Sequence, residues 1–180
     1  MKTILITILV HLMWVGQTFA LPVVMPQWYC GEGFTCDTCS VEDSQNSESS
    51  AISLDWARGD TITISDAGRL CSITVYLSGT LTDTEVQIAT GTAGVSVIEE
   101  IAKASGALSQ GENEFLSVAH PYLPAGTYKI KAMSASSTTG IARNFVGGGG
   151  GFLSATEADS WDVYVADTDY ALRYVIKMCD

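Results

Sequence analysis

Positive charge is scarce in this sequence. Nine Lys and Arg stand against 20 Asp and Glu, a formal net charge of −11. A chain this short of cations has no basic patch with which to neutralise phosphates, so nucleic acid is excluded as a partner, and anionic membrane surfaces would repel it. There are only two histidines, His11 and His120, and four prolines. No Gly-x-Ser-x-Gly occurs, so the strained turn that presents a hydrolase nucleophile is missing. The spacing of an EF-hand loop is not met. No Asn-x-Ser/Thr sequon occurs, because Asn46, Asn113 and Asn144 are followed two positions on by Glu48, Phe115 and Val146. Nowhere does a convincing amphipathic helical period run.

The first twenty residues, MKTILITILVHLMWVGQTFA, carry Lys2, an apolar stretch from Ile4 to Val15 and small side chains ending at Ala20. That is the pattern of a cleaved secretory leader. The stretch is shorter than the roughly 20 apolar residues that cross a bilayer, so stable membrane insertion is not expected. The domains expected are therefore a signal peptide at 1–20, a cysteine-bearing tail with a polar linker at 21–50, and one β-sandwich at 51–180. About 160 mature residues suffice for one real core.

The fold class follows from alternation. Ile52/Leu54/Trp56, Ile62/Ile64, Cys71/Ile73/Val75/Leu77, Val86/Ile88, Tyr128/Ile130/Ala132 and Tyr170/Leu172/Tyr174/Ile176 each repeat at the period of a pleated strand. Turn signals at Arg58-Gly59-Asp60, Asp66-Ala67-Gly68, Gly91 to Gly94, Pro124 to Gly126 and Asp167-Thr168-Asp169 separate them. Val95 to Ser105 reads as a strand followed by a loop, and the polar, acidic Ser40 to Ser50 as a flexible linker or an exposed loop. The five glycines from Gly147 to Gly151 must form a loop, because glycine costs a strand or helix interior too much backbone entropy. Short strands with turns roughly every 8–12 residues argue for an all-β, antiparallel β-sandwich. Jelly-roll order is preferred because the Cys…Trp…Cys spacing of an immunoglobulin domain is missing.

All five cysteines follow the leader, which makes disulfides more plausible than metal or redox sites in an exported chain. On parity, Cys71 shares its face with Ile73, Val75 and Leu77. Cys179 falls on the other face, with Val175 and Lys177. The expectation is that Cys71 is a buried thiol and that Cys30, Cys36, Cys39 and Cys179 form two bridges.

Candidate sites are sparse. His120 is the only histidine after the leader, and no nucleophile and base arrangement accompanies it, so the chain reads as non-catalytic. Sugars are bound by aromatic faces with polar groups beside them. Tyr76 and Tyr164 lie on polar strand faces and are the candidate ligand-binding residues, whereas Trp56 and Trp161 read as core. No cofactor is implied beyond calcium, for which Asp167 and Asp169, two apart on a turn, are the candidate ligands.

Three stretches, Ile73-Thr74-Val75-Tyr76-Leu77-Ser78-Gly79, Leu123-Pro124-Ala125-Gly126-Thr127-Tyr128 and Asp169-Tyr170-Ala171-Leu172-Arg173-Tyr174, with a Gly/aromatic loop between the last two, resemble secreted jelly-roll modules of the choice-of-anchor and DUF4082-like type. The resemblance covers about Ile52 to Lys177 and implies an extracellular or cell-surface accessory module. The expected function is a secreted, non-catalytic sandwich that binds a ligand, a glycan foremost, at a surface or in a matrix. The alternative is a structural subunit of an extracellular filament, surface layer or virion assembly, self-associating through its N-terminal tail.

Overall fold

Alternating apolar residues become strands throughout the structure, a computed structural model that describes residues 38–136, 138–155 and 164–179. The strands are β1 (Ser40–Gln45), β2 (Ser50–Ser53), β3 (Arg58–Ile64), β4 (Gly68–Gly79), β5 (Thr84–Thr90), β6 (Ser96–Lys103) and β7 (Gly111–Leu116). They continue with β8 (Tyr122–Leu123), β9 (Gly126–Ser134), β10 (Thr139–Phe145), β11 (Phe152–Ala155), β12 (Tyr164–Asp167), β13 (Tyr170–Leu172) and β14 (Tyr174–Cys179). Every described residue falls in one unit, Thr35–Asp180; the other, Met1–Phe34, lies outside the described residues, and with it the leader and Cys30.

Two antiparallel sheets form. One runs β1-β14-β4-β10-β13, with β2 on β10 and both β7 and β8 on β4; the other runs β12-β11-β3-β9-β5-β6. The chain changes sheet between β2 and β3, β3 and β4, β4 and β5, β6 and β7, β8 and β9, β9 and β10, β10 and β11, and β12 and β13. Ile62, Ile64, Val86, Ile88 and Ile130 from one sheet join Ile73, Val75, Leu77, Phe115, Ile141 and Ile176 from the other in a single buried cluster, which makes the architecture a β-sandwich. Each fully buried large side chain there stabilises the fold by about 1.5–3 kcal/mol relative to exposure.

The structure departs from the sequence reading where tertiary contacts override local signals. Arg58-Gly59-Asp60 is the start of β3 and no turn. Gly59 is there because a Cβ would stand 2.5 Å from the Ile130 carbonyl oxygen, a close approach between strands. The stretch after Val95 is one strand to Lys103, with a register shift opposite Ile88 and Ala89 that disguises its period. Trp56, expected in the core, is 36% exposed beneath the Arg58 guanidinium.

Ser40 to Gln45, expected as linker, is an edge strand on β14. Its acids explain why. On β3 the Thr61 amide donates to Gly151 O at 3.0 Å, but farther along the same edge the partner strand has ended. There Asp43 Oδ2 accepts the Thr63 amide at 3.2 Å, and Glu42 Oε1 accepts the Ser65 and Asp66 amides at 2.6 and 3.0 Å. Carboxylates thus continue the ladder where backbone carbonyls stop, leaving those amides satisfied.

The cysteine expectation is corrected in the same way. Cys39 is bonded to Cys71, across 32 residues of chain. Cys71 is therefore no thiol, and Cys179 is buried in β14 outside that bridge. Lys177 stands opposite Ser72 and Met178 opposite Leu70, so Cys71 is the extra residue of a bulge in β4. A bulge flips the alternation, which is why Leu70 and Ile73, of opposite parity, are both fully buried and why Cys71 is presented to the tail. Cys36 lies outside the described residues.

Candidate functional site: the glycine-loop rim

Two places on the sandwich concentrate chemistry. The first is the end where β10 runs into the glycine run. Phe145 and Tyr170 are register partners on β10 and β13, with ring centroids 5.5 Å apart and planes at 72°. Phe145 is 58% exposed. The Arg143 guanidinium carbon lies 3.7 Å from the Tyr170 ring centroid and 5.5 Å from that of Phe152, a cation held on aromatic faces. Arg143 Nε and the hydroxyl of Ser50, its register partner on β2, are buried without a hydrogen-bond partner. Unmet buried polar groups are rare enough to call for an explanation, and Gln87 Oε1 and Arg173 Nε, elsewhere in the sandwich, share the condition.

The loop above them is anchored at both ends and bare in the middle. The Val146 amide donates to Asp169 O at 2.7 Å and the Gly150 amide to Thr168 O at 2.8 Å. A Cβ on Gly150 would stand 1.7 Å from Tyr170 O, and one on Gly151 would stand 2.5 Å from Asp60 Oδ1. At Gly147, Gly148 and Gly149 nothing lies within 4 Å of such an atom, and the first two have φ of +64° and +92°. So the sequence-level reading of a loop holds, and its last two glycines are required by close packing, Gly150 against the Tyr170 carbonyl and Gly151 against the Asp60 carboxyl group.

Beneath the loop sits Asp60, almost fully buried. Its Oδ2 accepts the Leu172 amide at 2.6 Å and its Oδ1 the Thr61 amide at 2.7 Å. Burial pushes its carboxyl up to about 7, against the pull of those two amides. Burial likewise pushes the Tyr174 phenol, which donates to Asp43 Oδ2 at 3.0 Å, above its ordinary value.

The acidic turn expected to bind calcium borders this rim. Asp167 Oδ1 accepts the Asp169 amide at 3.0 Å, so one of the two carboxylates closes the turn that holds the loop. Among the described residues, no three His, Cys, Asp or Glu side chains converge as metal ligands. Tyr76 lies elsewhere, on the outer face of β4, where the Arg173 guanidinium carbon sits 3.7 Å from its ring centroid and is tied to Glu48 at 2.9 Å. One face of that ring is therefore already covered. Tyr164 begins β12, and its side chain lies outside the described residues, as do Trp161 and the neighbouring acids up to Asp162.

The second place is a trough beside β7, at the open edge of its sheet. A groove of about 570 Å³ is lined by residues including Ile101, Lys103, Glu112, Leu116 and Val118. A smaller one of about 300 Å³, sharing Glu114 and Leu116 with it, reaches the disulfide, His120 and Lys177. Leu116 and Val118 are 63% and 82% exposed. Yet the edge is guarded: Lys103 Nζ donates to Glu114 O at 2.5 Å, and a lysine on an edge carbonyl opposes strand addition. Hydrogen bonds from Lys177 and Ser72 hold the Glu114 carboxyl below its ordinary value.

His120 belongs to this trough and has a structural partner set. Glu99 accepts the Ser117 hydroxyl at 2.6 Å and the Val118 and Ala119 amides at 2.7 and 2.9 Å. The His120 amide donates to Ser117 Oγ at 2.9 Å, while its ring Nδ1 lies 3.0 Å from Leu70 O. The ring is turned to the backbone instead of to Ser117, so these three side chains do not make the relay of a serine hydrolase. They fix a tight bend in which His120 takes φ of +44°.

Sequence reasoning missed Phe145, Tyr170 and Arg143 as a group. The one available signal was the pair of phenylalanines flanking the glycine run. Neither protein-family models nor curated proteins match this chain.

Proposed function

We propose that the protein is an exported, non-catalytic β-sandwich that binds carbohydrate at the glycine-loop rim. The observation that carries this reading is Phe145: a large aromatic ring left mostly in solvent, edge-on to Tyr170 and beside the Arg143 guanidinium, under a loop without side chains. Aromatic faces stack on the apolar faces of pyranose rings, and arginine and carboxylate groups bond the hydroxyls. Arg143, Asp167 and Asp169 supply both kinds of group. Export rests on the leader pattern, and the bridge between Cys39 and Cys71 fits an oxidising compartment. The resemblance to surface accessory modules points the same way.

A glycan array probed with the purified protein, repeated with Phe145→Ala, tests it. The wild type retains a defined set of glycans and the variant loses them; retention of none, or equal retention by both, contradicts the reading.

The second reading, a subunit of an extracellular assembly, is favoured by the exposed aliphatic pair Leu116 and Val118. The guard at Lys103 weighs against strand addition there. Concentration-dependent oligomers that disappear in Leu116→Ser would support it.

A further inference from the structure

Three pieces of the rim meet at one buried acid. Asp60 takes the Leu172 amide of β13 with one oxygen and the Thr61 amide of its own strand with the other. Thr61 also donates its amide to Gly151 O, and a Cβ on Gly151 would fall 2.5 Å from Asp60 Oδ1. Tyr170 and Arg143, the ligand-facing pair, lie two residues from Leu172 and directly opposite it in register. We propose that Asp60 is the positioning residue of the rim, a latch whose buried carboxyl group, when protonated, holds β13 and the last glycines of the loop in place.

The role rests on the rim reading, since what the latch positions is the proposed binding surface. Its setting has few other charges. Asp43 on β1 disfavours ionisation and Lys129 on β9 favours it. The Tyr174 phenol on β14 is committed to Asp43. Leu172 and Gly151 bring only backbone, and Arg143 of β10 is stacked on Tyr170 and Phe152. Burial dominates and pushes the carboxyl up to about 7.

The sign follows by linkage. The closed rim holds the Asp60 proton more tightly than an opened rim in which the carboxyl is hydrated, so protonation favours closure and ionisation favours opening. Raising the pH from about 6 to about 8 should therefore increase the opening equilibrium by about tenfold, for a carboxyl near 7 closed and near 3.8 when hydrated.

Nuclear magnetic resonance on the full chain tests this without any ligand, so it can fail while the rim still binds sugar. The Asp60 carboxyl carbon shift is followed against pH, together with exchange protection of the Val146, Gly150 and Leu172 amides corrected for intrinsic exchange. The expected result is a carboxyl midpoint near 7 and protection that falls about tenfold over that interval, with Asp60→Asn abolishing the pH dependence. A carboxyl that titrates in the ordinary carboxylate range overturns the proposal. So does a midpoint near 7 with those amides unmoved. If Asp60→Asn fails to fold, the wild-type carboxyl and amide titrations decide alone.

Discussion

The two chemically rich parts of the sandwich are held together by different means. The trough beside β7 is stitched by side chains: a disulfide, a carboxylate that takes two amides and a hydroxyl, and lysines on Glu114. The rim is stitched by backbone, with loop amides on turn carbonyls and glycines admitted where no Cβ fits. Beneath the loop, burial opposes the ionisation of Asp60. The contrast teaches that the trough leaves its polar groups satisfied by one another, whereas the rim keeps Arg143 Nε and Ser50 Oγ without partners and an aromatic ring in solvent. The unpartnered Arg143 Nε and Ser50 Oγ are among the features on which the proposed binding surface rests.

The comparison can be sharpened by perturbing each side in turn. The largest expected effect is on the trough side, where replacing both Cys39 and Cys71 by Ser removes a bridge closing 32 residues of chain. Chain-entropy reasoning puts the loss at about 3–4 kcal/mol, measured by denaturant unfolding. Rim glycines come next. Gly150→Ala should cost about 3 kcal/mol because its Cβ would overlap Tyr170 O, whereas Gly149→Ala, with nothing near, should stay within about 0.5 kcal/mol. Equal effects at the two positions would erase the distinction between anchored and bare parts of the loop.

The pH dependence is slightly smaller. The Asp60 carboxyl lies above its unfolded value of 3.8, so the stability it contributes is fully present below that value and is lost as pH rises toward about 7. Thermal or denaturant unfolding should show a loss of about 2–3 kcal/mol between roughly pH 5 and pH 8, and Asp60→Asn should flatten it. Smallest of these is Glu99→Gln, which weakens charge-assisted bonds to the bend at Ser117 to Ala119 and should cost about 1–2 kcal/mol, with no change at the rim amides.

The sandwich was legible in the sequence because period-2 alternation is a local signal. Ile73, Val75 and Leu77 announce β4 without knowledge of any partner strand. What was not legible depended on residues far away. Nothing around Cys71 marks the bulge that re-aims it, since the bulge exists only relative to Lys177 and Met178 on β14. Asp43 and Glu42 look like linker acids until β3 is placed 20 residues on with amides to satisfy. At the rim, the glycine run was plainly a loop, but the pairing of Phe145 with Tyr170 and the stacking of Arg143 arise from the return of the last strands, which alternation cannot order. Tyr76 looked exposed by parity, and only the position of Arg173 covers it.

The most direct test of the carbohydrate-binding rim is calorimetric titration of one glycan retained on the array into the wild type, Phe145→Ala and Leu116→Ala. The account predicts that binding is lost in Phe145→Ala and unchanged in Leu116→Ala. Loss of binding in Leu116→Ala with Phe145→Ala unaffected would place the ligand in the trough and contradict it.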